Sequence, residues 1–196
     1  MLECMKNRRS IRKYTDQDIP ESLLNELLEV ATRASNTGNM QLYSVVVTRD
    51  PANKEKLAPA HFNQPMITGA PVVLTCYLGT TAYNADQIIE ALSLPRLVVP
   101  IVTVTVGYPA EPIPAQVERL PLAAVVQNET YTDFTPASID ALYSEKEALE
   151  VNKQFVRENN KETLAQVFTD VRYTKKNSEH FSEVLLKVLK QQGFMK

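Results

Sequence analysis

Three short runs of β-branched residues, all between residues 43 and 109, constrain the fold of this 196-residue chain more than any other feature. The runs are YSVVVT at 43–48, APVVLTCYLG at 70–79 and IVTVTVGYP at 101–109. Each run is rich in Val and Thr and is bounded by polar residues, Gly or Pro, as strands usually are. The sequence therefore predicts a small sheet of three strands.

Helical patterns lie next to these runs. The segment IPESLLNELLEVATRAS repeats apolar residues at helical spacing, and Pro20 suits its first turn. The residues on its apolar face are Leu23, Leu24, Leu27, Leu28 and Ala31. A shorter helix is expected at NADQIIEALSLP, where Asn84 is the predicted N-cap and Gln87 stands at capping-box spacing. Helices therefore flank the predicted sheet along the chain.

The chain after the third run consists of an arm and further helices. Prolines break the segment EPIPAQVERLP, which predicts an irregular arm. The segment TPASIDALYSEKEAL opens with Thr135 as N-cap and Pro136 at the first helical position. The helix at SEHFSEVLLKVLKQQGF has Gly193 where a C-cap would lie. So much helix and arm behind so small a sheet favours packing against a second subunit.

Composition excludes several classes of protein. Apolar residues make up 44% of the chain, which is enough for one good core. No apolar run approaches the roughly 20 residues that a membrane helix needs, and MLECMKNRRS lacks the apolar centre of a signal peptide. The formal net charge is -2, with both signs mixed along the chain, which argues against a nucleic-acid surface. We expect a cytoplasmic protein that binds neither membrane nor nucleic acid.

Cysteine and histidine are too few and too scattered for a metal site. The chain has Cys4, Cys76, His61 and His180, and no CxxC pair. Neither a zinc site nor a disulfide framework is expected from this set. A lone histidine is more often structural than catalytic, so both histidines are interpreted as structural.

The segment NRRSIRKYT, residues 7–15, gathers positive charge. It holds Arg8, Arg9 and Arg12, with the hydroxyl of Ser10 between them, and a helical turn would bring Arg8 and Arg12 to one side. Guanidinium groups bind phosphate oxygens through paired, charge-assisted hydrogen bonds. From this cluster alone, however, a solvated basic turn is the favoured interpretation, because charge runs are usually soluble surface.

The order of these segments resembles the nitroreductase family of FMN-dependent oxidoreductases. The resemblance is carried by RRSIRKYT, ASNTGNMQ, NQPMITGAPVVL, CYLGTT and ERLP, and it covers most of the chain up to about residue 130. The tail, including TLAQVFTDVRYTKKN, resembles that of one subgroup. The resemblance implies an α+β fold with a central, mostly antiparallel sheet flanked by helices, and with an extended C-terminal arm and helices. It also implies one domain over 1–196, with a core at 1–130 and the helices and arm at 131–196.

The resemblance also implies an FMN site. The phosphate would be held by Arg8, Arg9, Ser10, Arg12 and Arg119. The polar loop would lie along the flavin from the neighbouring subunit, through Ser35, Asn36, Thr37, Asn39 and Gln41. The backbone at Leu78 and Gly79 would pass the reactive edge of the ring. Asn63 and Gln64 either contact the pyrimidine edge or cap the loop before the second strand.

The chemistry implied by the family belongs to the cofactor. NAD(P)H reduces the flavin and leaves, and a small electron-poor acceptor such as a nitroaromatic or a quinone is then reduced, in a ping-pong sequence. No catalytic side chain and no metal are required, because the protein supplies orientation and electrostatics. The family is homodimeric, so a homodimer is expected here.

One departure from the family pattern lies at Thr75 and Cys76. Family members place a long central helix between the strands that correspond to APVVL and CYLG, whereas Thr75 here is followed directly by Cys76. The resemblance therefore predicts that these two residues belong to separate strands, with Cα atoms farther apart than the roughly 3.8 Å of one peptide bond. The missing segment motivates two alternatives: a flavin-binding module without turnover, and an assembly protein that has lost the ligand.

Overall fold

The computed structural model describes residues 2–34, 43–76, 84–127 and 129–196. The predicted flavin contacts of the polar loop and of the CYLG segment lie outside the described residues; they are Ser35, Asn36, Thr37, Asn39, Gln41, Leu78 and Gly79. The helices and strands are α1 (Leu2–Lys6), α2 (Glu21–Thr32), β1 (Val45–Thr48), α3 (Pro51–Leu57), α4 (Pro65–Gly69), β2 (Val72–Cys76), α5 (Ala85–Leu92), β3 (Val102–Val106), α6 (Pro136–Ala148), α7 (Glu150–Glu158), α8 (Leu164–Gln166) and α9 (Lys175–Gln192). Short 3₁₀ turns at Pro59–His61 and Leu122–Ala124 and a π-helix at Val167–Arg172 complete the list.

The three predicted strands form one antiparallel sheet in the order β1-β2-β3. Val45 of β1 pairs with Cys76 of β2, and Val72 of β2 pairs with Val106 of β3. The rest of each ladder follows in register. The predicted strands and the α+β class are both confirmed.

The predicted separation of Thr75 from Cys76 is wrong. Both residues lie in β2, where Thr75 pairs with Val46 and Thr103, and Cys76 pairs with Val45 and with β3. The side chains of this stretch favour extended backbone, and a ladder on each side of β2 satisfies its peptide groups without a break. The β preference of the residues around Thr75 and Cys76 therefore predicts the observed strand correctly, whereas the family pattern does not.

Residues Ser10–Pro114 and Phe181–Lys196 form one compact unit, here called the sheet unit. Val72 and Val73 point to opposite faces of β2 and lie in different apolar clusters. On one face Val73 packs with side chains from α3, the 3₁₀ turn, α4 and α5; these are Leu57, Ala60, Ile67 and Ile88. On the other face Val72 packs with Ile19 and Leu24. The sheet is therefore covered by apolar side chains on both faces.

Helix α2 buries less of its predicted apolar face than expected. Leu24 is buried and Leu28 packs beside it, whereas Leu23 and Leu27 are exposed at 37% and 47%. Positions three and four apart share a helix face, but a single sheet contact covers only a narrow stripe of that face. The prediction is therefore confirmed for Leu24 and Leu28 only.

The predicted helix ends have mixed outcomes. The cap at Thr135 is confirmed, since its Oγ1 accepts a hydrogen bond of 3.2 Å from the backbone N–H of Ser138. The C-cap at Gly193 is confirmed by a φ of +88° after α9. Asn84 occupies the N-cap position of α5 but makes no capping bond, because its Nδ2 donates to the carbonyl of Ala60 at 2.9 Å. The predicted capping box of α5 is therefore wrong.

Residues Met1–Arg9 and Ala115–His180 form a second compact unit, here called the helical unit. Its core consists of Val156, Leu164 and Val167. Residues 111–121, the segment EPIPAQVERLP, contain no helix or strand, which confirms the predicted irregular arm. None of the helices in the described part of the chain is long and apolar enough to cross a membrane. The single domain expected over 1–196 stays a prediction.

Candidate functional site

The basic segment contains no helix beyond α1. Helix α1 ends at Lys6, and Arg8 follows in a turn in which its N–H donates to the carbonyl of Met5 at 3.3 Å. Further on, the N–H of Thr15 donates to the carbonyl of Tyr108 at 2.9 Å, as part of a short antiparallel bridge. The expected helical turn over Arg8 and Arg12 is therefore wrong, because pairing with this strand end requires extended backbone.

Three of the predicted phosphate ligands are exposed arginines that make no hydrogen bond or ion pair among the described residues; they are Arg9, Arg12 and Arg119. Ser10 and Arg12 belong to the sheet unit, whereas Arg8, Arg9 and Arg119 belong to the helical unit. A guanidinium group carries a full positive charge and five N–H donors. Arg12 therefore presents a cation without a partner among the described residues, two positions after Ser10 in the sequence.

Asn63 and Gln64 lie on a left-handed turn between the 3₁₀ turn and α4. Phe62 and Asn63 have φ values of +56° and +53°, and the N–H of Asn63 donates to the carbonyl of Ala58 at 2.8 Å. Gln64 is the N-cap residue of α4, yet its side chain makes no capping bond. Both side-chain amides are exposed and have no partner within the described ranges. The capping interpretation therefore receives no support from these side chains.

His61 holds this turn against the sheet. Its Nδ1 lies 2.9 Å from the carbonyl of Leu57, and its Nε2 lies 2.8 Å from Oγ1 of Thr103 in β3. A carbonyl only accepts, so Nδ1 is the donor and, in the neutral ring, Nε2 accepts from the Thr103 hydroxyl. Both ring nitrogens are thus used within the fold, which agrees with the structural role predicted for His61.

Thr75 of β2 pairs with Thr103 of β3. The hydroxyl of Thr103 contacts His61, whereas the hydroxyl of Thr75 does not have such a contact. The side chain is fully buried, and its Oγ1 has no hydrogen-bond partner among the residues described. An unpaired buried hydroxyl carries a desolvation cost. Sequence reasoning missed both threonines, although the alternation of Thr103 and Thr105 with valines sets those two side chains on one face of β3.

Sequence reasoning also missed Tyr14. Its hydroxyl lies 2.6 Å from Oγ1 of Thr105, a residue 91 positions later. The only signal in the sequence is the alternation of Thr103 and Thr105 with valines in β3, which sets both hydroxyls on one face. That pattern indicates a polar contact on the face but does not identify its partner.

Among the residues that the structure describes, two carboxyl groups have lowered pKa values, and neither is a predicted site residue. A hydrogen bond from Arg157 lowers the pKa of Glu150 below its usual value, and a hydrogen bond from Lys161 does the same for Asp170. Both carboxyls lie in the helical unit and are exposed, so they are surface ion pairs. Among the described residues no group of His, Cys, Asp and Glu could hold a metal ion.

The chain is similar to proteins of one enzyme family. Residues 5–74 match the model of the Nitroreductase family. A Thermus thermophilus NADH dehydrogenase is 50% identical over 85 residues, which is 42% of this chain and 42% of that protein. A Bacillus subtilis FMN reductase [NAD(P)H] is 26% identical over 219 residues, which cover 83% of this chain and 86% of that protein. This chain thus spans less than half of the Thermus protein.

A crystal structure of a Bacteroides fragilis protein, classed provisionally as an oxidoreductase, has 50% sequence identity to this chain. The TM-score is 0.92, and the alignment covers 99% of this chain and 100% of that one. The alignment with the Bacillus protein has 219 positions, but it includes only about 163 residues of this chain, which is 83% of 196. This chain is therefore shorter than the Bacillus protein within the aligned region. The match over residues 5–74 and this full-length structural likeness lead to one conclusion: the chain belongs to the nitroreductase family.

Proposed function

We propose that the protein is an FMN-dependent oxidoreductase that uses NAD(P)H to reduce small electron-poor acceptors, such as nitroaromatics or quinones, in a ping-pong sequence. Membership of the nitroreductase family supports this proposal, as do relatives named FMN reductase [NAD(P)H] and NADH dehydrogenase. The single observation that carries it is Arg12, an exposed guanidinium without a partner in the described structure, two positions after Ser10 in the sequence.

Arg12 and Ser10 would bind the FMN phosphate. The guanidinium offers two parallel N–H donors to phosphate oxygens, and the serine hydroxyl offers a third donor from the same non-helical segment. The roles of Arg8, Arg9 and Arg119 toward the same phosphate stay predictions from the family pattern. The chemistry of the donors present suits a dianionic group, since each donates hydrogen bonds and none is a carboxylate.

Asn63 and Gln64 would bind the pyrimidine edge of the flavin ring. That edge alternates carbonyl oxygens and an N–H, and a side-chain amide offers both a donor and an acceptor. The left-handed backbone at Phe62 and Asn63 turns the two amides into solvent, while His61 fixes the turn to β3. When bound, FMN supplies the redox chemistry, and the side chains of this chain supply binding and orientation.

We further propose that the protein is a homodimer and is cytoplasmic. Several large apolar side chains in the stretch after the arm are exposed at more than 70%, namely Leu122, Val125 and Tyr131. Apolar patches of this kind are characteristic of protein interfaces. A second copy of the chain is the partner that the family implies, and Ser35, Asn36, Thr37, Asn39 and Gln41 would reach the flavin across that interface. Light scattering on the purified protein tests the dimer, and a monomer that still holds FMN would contradict it.

The proposal is tested by the absorbance of the purified protein. A yellow protein whose flavin bands are bleached by NADH or NADPH is the expected result. Replacing Arg12 by Ala should weaken FMN binding by roughly 10-fold to 100-fold, because a hydrogen bond between charged groups contributes about 1.5–3 kcal/mol. Arg33→Ala is the matched control, since Arg33 is an exposed arginine whose guanidinium pairs with Glu29 on α2. Unchanged FMN affinity in Arg12→Ala would overturn the phosphate assignment.

A second candidate function is a flavin-binding module without turnover. The observation in its favour is the continuous β2, which runs through Thr75 and Cys76 where the family pattern has a central helix. A yellow protein that neither NADH nor NADPH bleaches would support this candidate. A colourless protein that takes up no added FMN would instead support an assembly protein that has lost the ligand.

A further inference from the structure

The hydroxyl of Tyr14 lies among three oxygen atoms of the sheet unit. It is 2.6 Å from Oγ1 of Thr105, 3.2 Å from the carbonyl of Ile11 and 3.3 Å from the carbonyl of Thr105. A phenol has one proton to donate, whereas carbonyls only accept. The short contact therefore suits a hydrogen bond donated by Thr105 Oγ1, which leaves the proton of Tyr14 for a carbonyl.

The ring of Tyr14 occupies the space above Gly107. A Cβ atom at position 107 would lie 2.6 Å from Cδ1 of Tyr14 and 2.7 Å from Cδ of Pro71, distances shorter than real Cβ contacts. The ring thus packs directly on the backbone of the strand end, and only glycine leaves room for it. Tyr14, Thr105 and Gly107 are together called the tyrosine anchor below.

Backbone hydrogen bonds hold the same segment. The N–H of Thr15 donates to the carbonyl of Tyr108 at 2.9 Å, and the N–H of Ala110 donates to the carbonyl of Lys13 at 3.1 Å. Tyr14 itself stands opposite Pro109 in an antiparallel bridge. Proline has no N–H to donate, and in an antiparallel ladder such a residue fits where the neighbouring positions make the hydrogen bonds.

These contacts fix the backbone on both sides of Arg12. The carbonyl of Ile11 lies within hydrogen-bond distance of the Tyr14 hydroxyl, and the carbonyl of Lys13 accepts from Ala110. The side chain of Arg12 is exposed and has no partner among the described residues. The chain therefore holds the backbone of Arg12 in place and presents its guanidinium to solvent.

We infer that Tyr14 is a positioning residue for the phosphate-binding Arg12, an inference that rests on the proposed function. A binding group already held in its bound geometry loses less conformational entropy when the ligand arrives. Without the phenol hydroxyl, the Ile11 carbonyl loses its contact and the segment carrying Ser10 and Arg12 gains freedom. The loss of binding free energy concerns the phosphate group and not the isoalloxazine ring. Comparing the affinities for FMN and for riboflavin, which lacks the phosphate, therefore isolates this effect.

The experiment measures the affinities of Tyr14→Phe for FMN and for riboflavin, by fluorescence titration of the flavin-depleted full chain. We expect FMN binding to weaken by about 3-fold to 10-fold, as loss of one hydrogen bond predicts, with riboflavin binding within about 2-fold of the unmodified protein. Thr105→Val should act in the same direction, and the double variant should lose little more than either single one. Tyr108→Phe is the matched control, because it removes a neighbouring phenol hydroxyl that is not part of the anchor.

Equal weakening of both flavins, or unchanged FMN affinity, in Tyr14→Phe and Thr105→Val would overturn the inference, because a purely structural role changes both affinities together. Arg12→Ala, measured in parallel, separates this failure from failure of the proposed function. If Arg12→Ala abolishes the preference for FMN and the anchor variants keep it, only the inference fails. If Arg12→Ala keeps the preference, the phosphate assignment fails, and the inference fails with it.

Discussion

Replacing Thr75 by Val is expected to raise the free energy of unfolding. The Thr75 hydroxyl is fully buried in the middle strand and has no hydrogen-bond partner among the described residues. Its ladder neighbours are Val46 and Thr103, and the hydroxyl of Thr103 already contacts His61. Val has nearly the shape of Thr, so the substitution removes the unpaired polar group without leaving a cavity.

The magnitude follows from the cost of an unsatisfied buried group. Such a group costs about 1–3 kcal/mol, and part of that cost is recovered when a methyl group takes its place. We therefore expect a gain of about 1–2 kcal/mol in the free energy of unfolding. For a chain of this size each kcal/mol corresponds to a Tm shift of roughly 2–4 °C.

Denaturant unfolding of the full chain at one fixed FMN concentration measures this change. Thr103→Val is the matched control: it is the same substitution on the paired residue, but it removes the partner of His61 Nε2. The control should lower the free energy of unfolding by about 1–2 kcal/mol, since it leaves a polar ring nitrogen unpaired. The reasoning is refuted if Thr75→Val is neutral or destabilising, because the hydroxyl would then have a stabilising partner.

Three further changes test other parts of the structure. Leu57→Ala should lower the free energy of unfolding by about 2–5 kcal/mol in denaturant titrations, because Leu57 is fully buried in the apolar cluster that packs on Val73. Gly193→Ala should cost about 1–2 kcal/mol by the same assay, since φ is +88° and the new Cβ would lie 2.7 Å from Nη2 of Arg96; an unchanged midpoint would contradict this. The hydrogen bond from Arg157 lowers the pKa of Glu150, so its stabilising contribution is present above the usual pKa near 4.5 and is lost as the pH falls through the lowered value. Thermal melts from pH 7 to pH 2 should therefore show Glu150→Gln less stable than the parent at pH 7 and equal to it at the acidic end.

Much of the fold follows from local signals in the sequence. The three β-branched runs became β1, β2 and β3, and Thr135 and Gly193 cap the predicted helix ends. These signals are local, because runs of β-branched residues, N-capping residues and a glycine at a helix end are each recognised within a few positions of the sequence. The same local reasoning describes Thr75 and Cys76 correctly, whereas the family pattern does not.

Signals that depend on distant residues were missed. Asn84 has the right residue type and position for an N-cap, but its side chain donates a hydrogen bond to the carbonyl of Ala60 instead. The pairing of Tyr14 with Thr105 joins positions 91 residues apart, and neither residue type alone identifies a partner. Within the candidate site, the sequence could name Arg12 as a phosphate ligand, but not the contacts that hold its backbone in place.

The sheet unit has a consequence for the order in which the chain folds. Its strands are neighbours both in sequence and in the sheet, so β1, β2 and β3 can pair before the rest of the chain is present. Its last part, Phe181–Lys196, is synthesised only after the whole of Ala115–His180. There the carbonyl of Gln192 accepts from the N–H of Leu97 at 2.9 Å, and the ring of Phe181 meets that of Phe62 edge-on with centroids 6.0 Å apart. On the ribosome, the three strands can therefore pair early, but the sheet unit is complete only after Phe181–Lys196 has been synthesised.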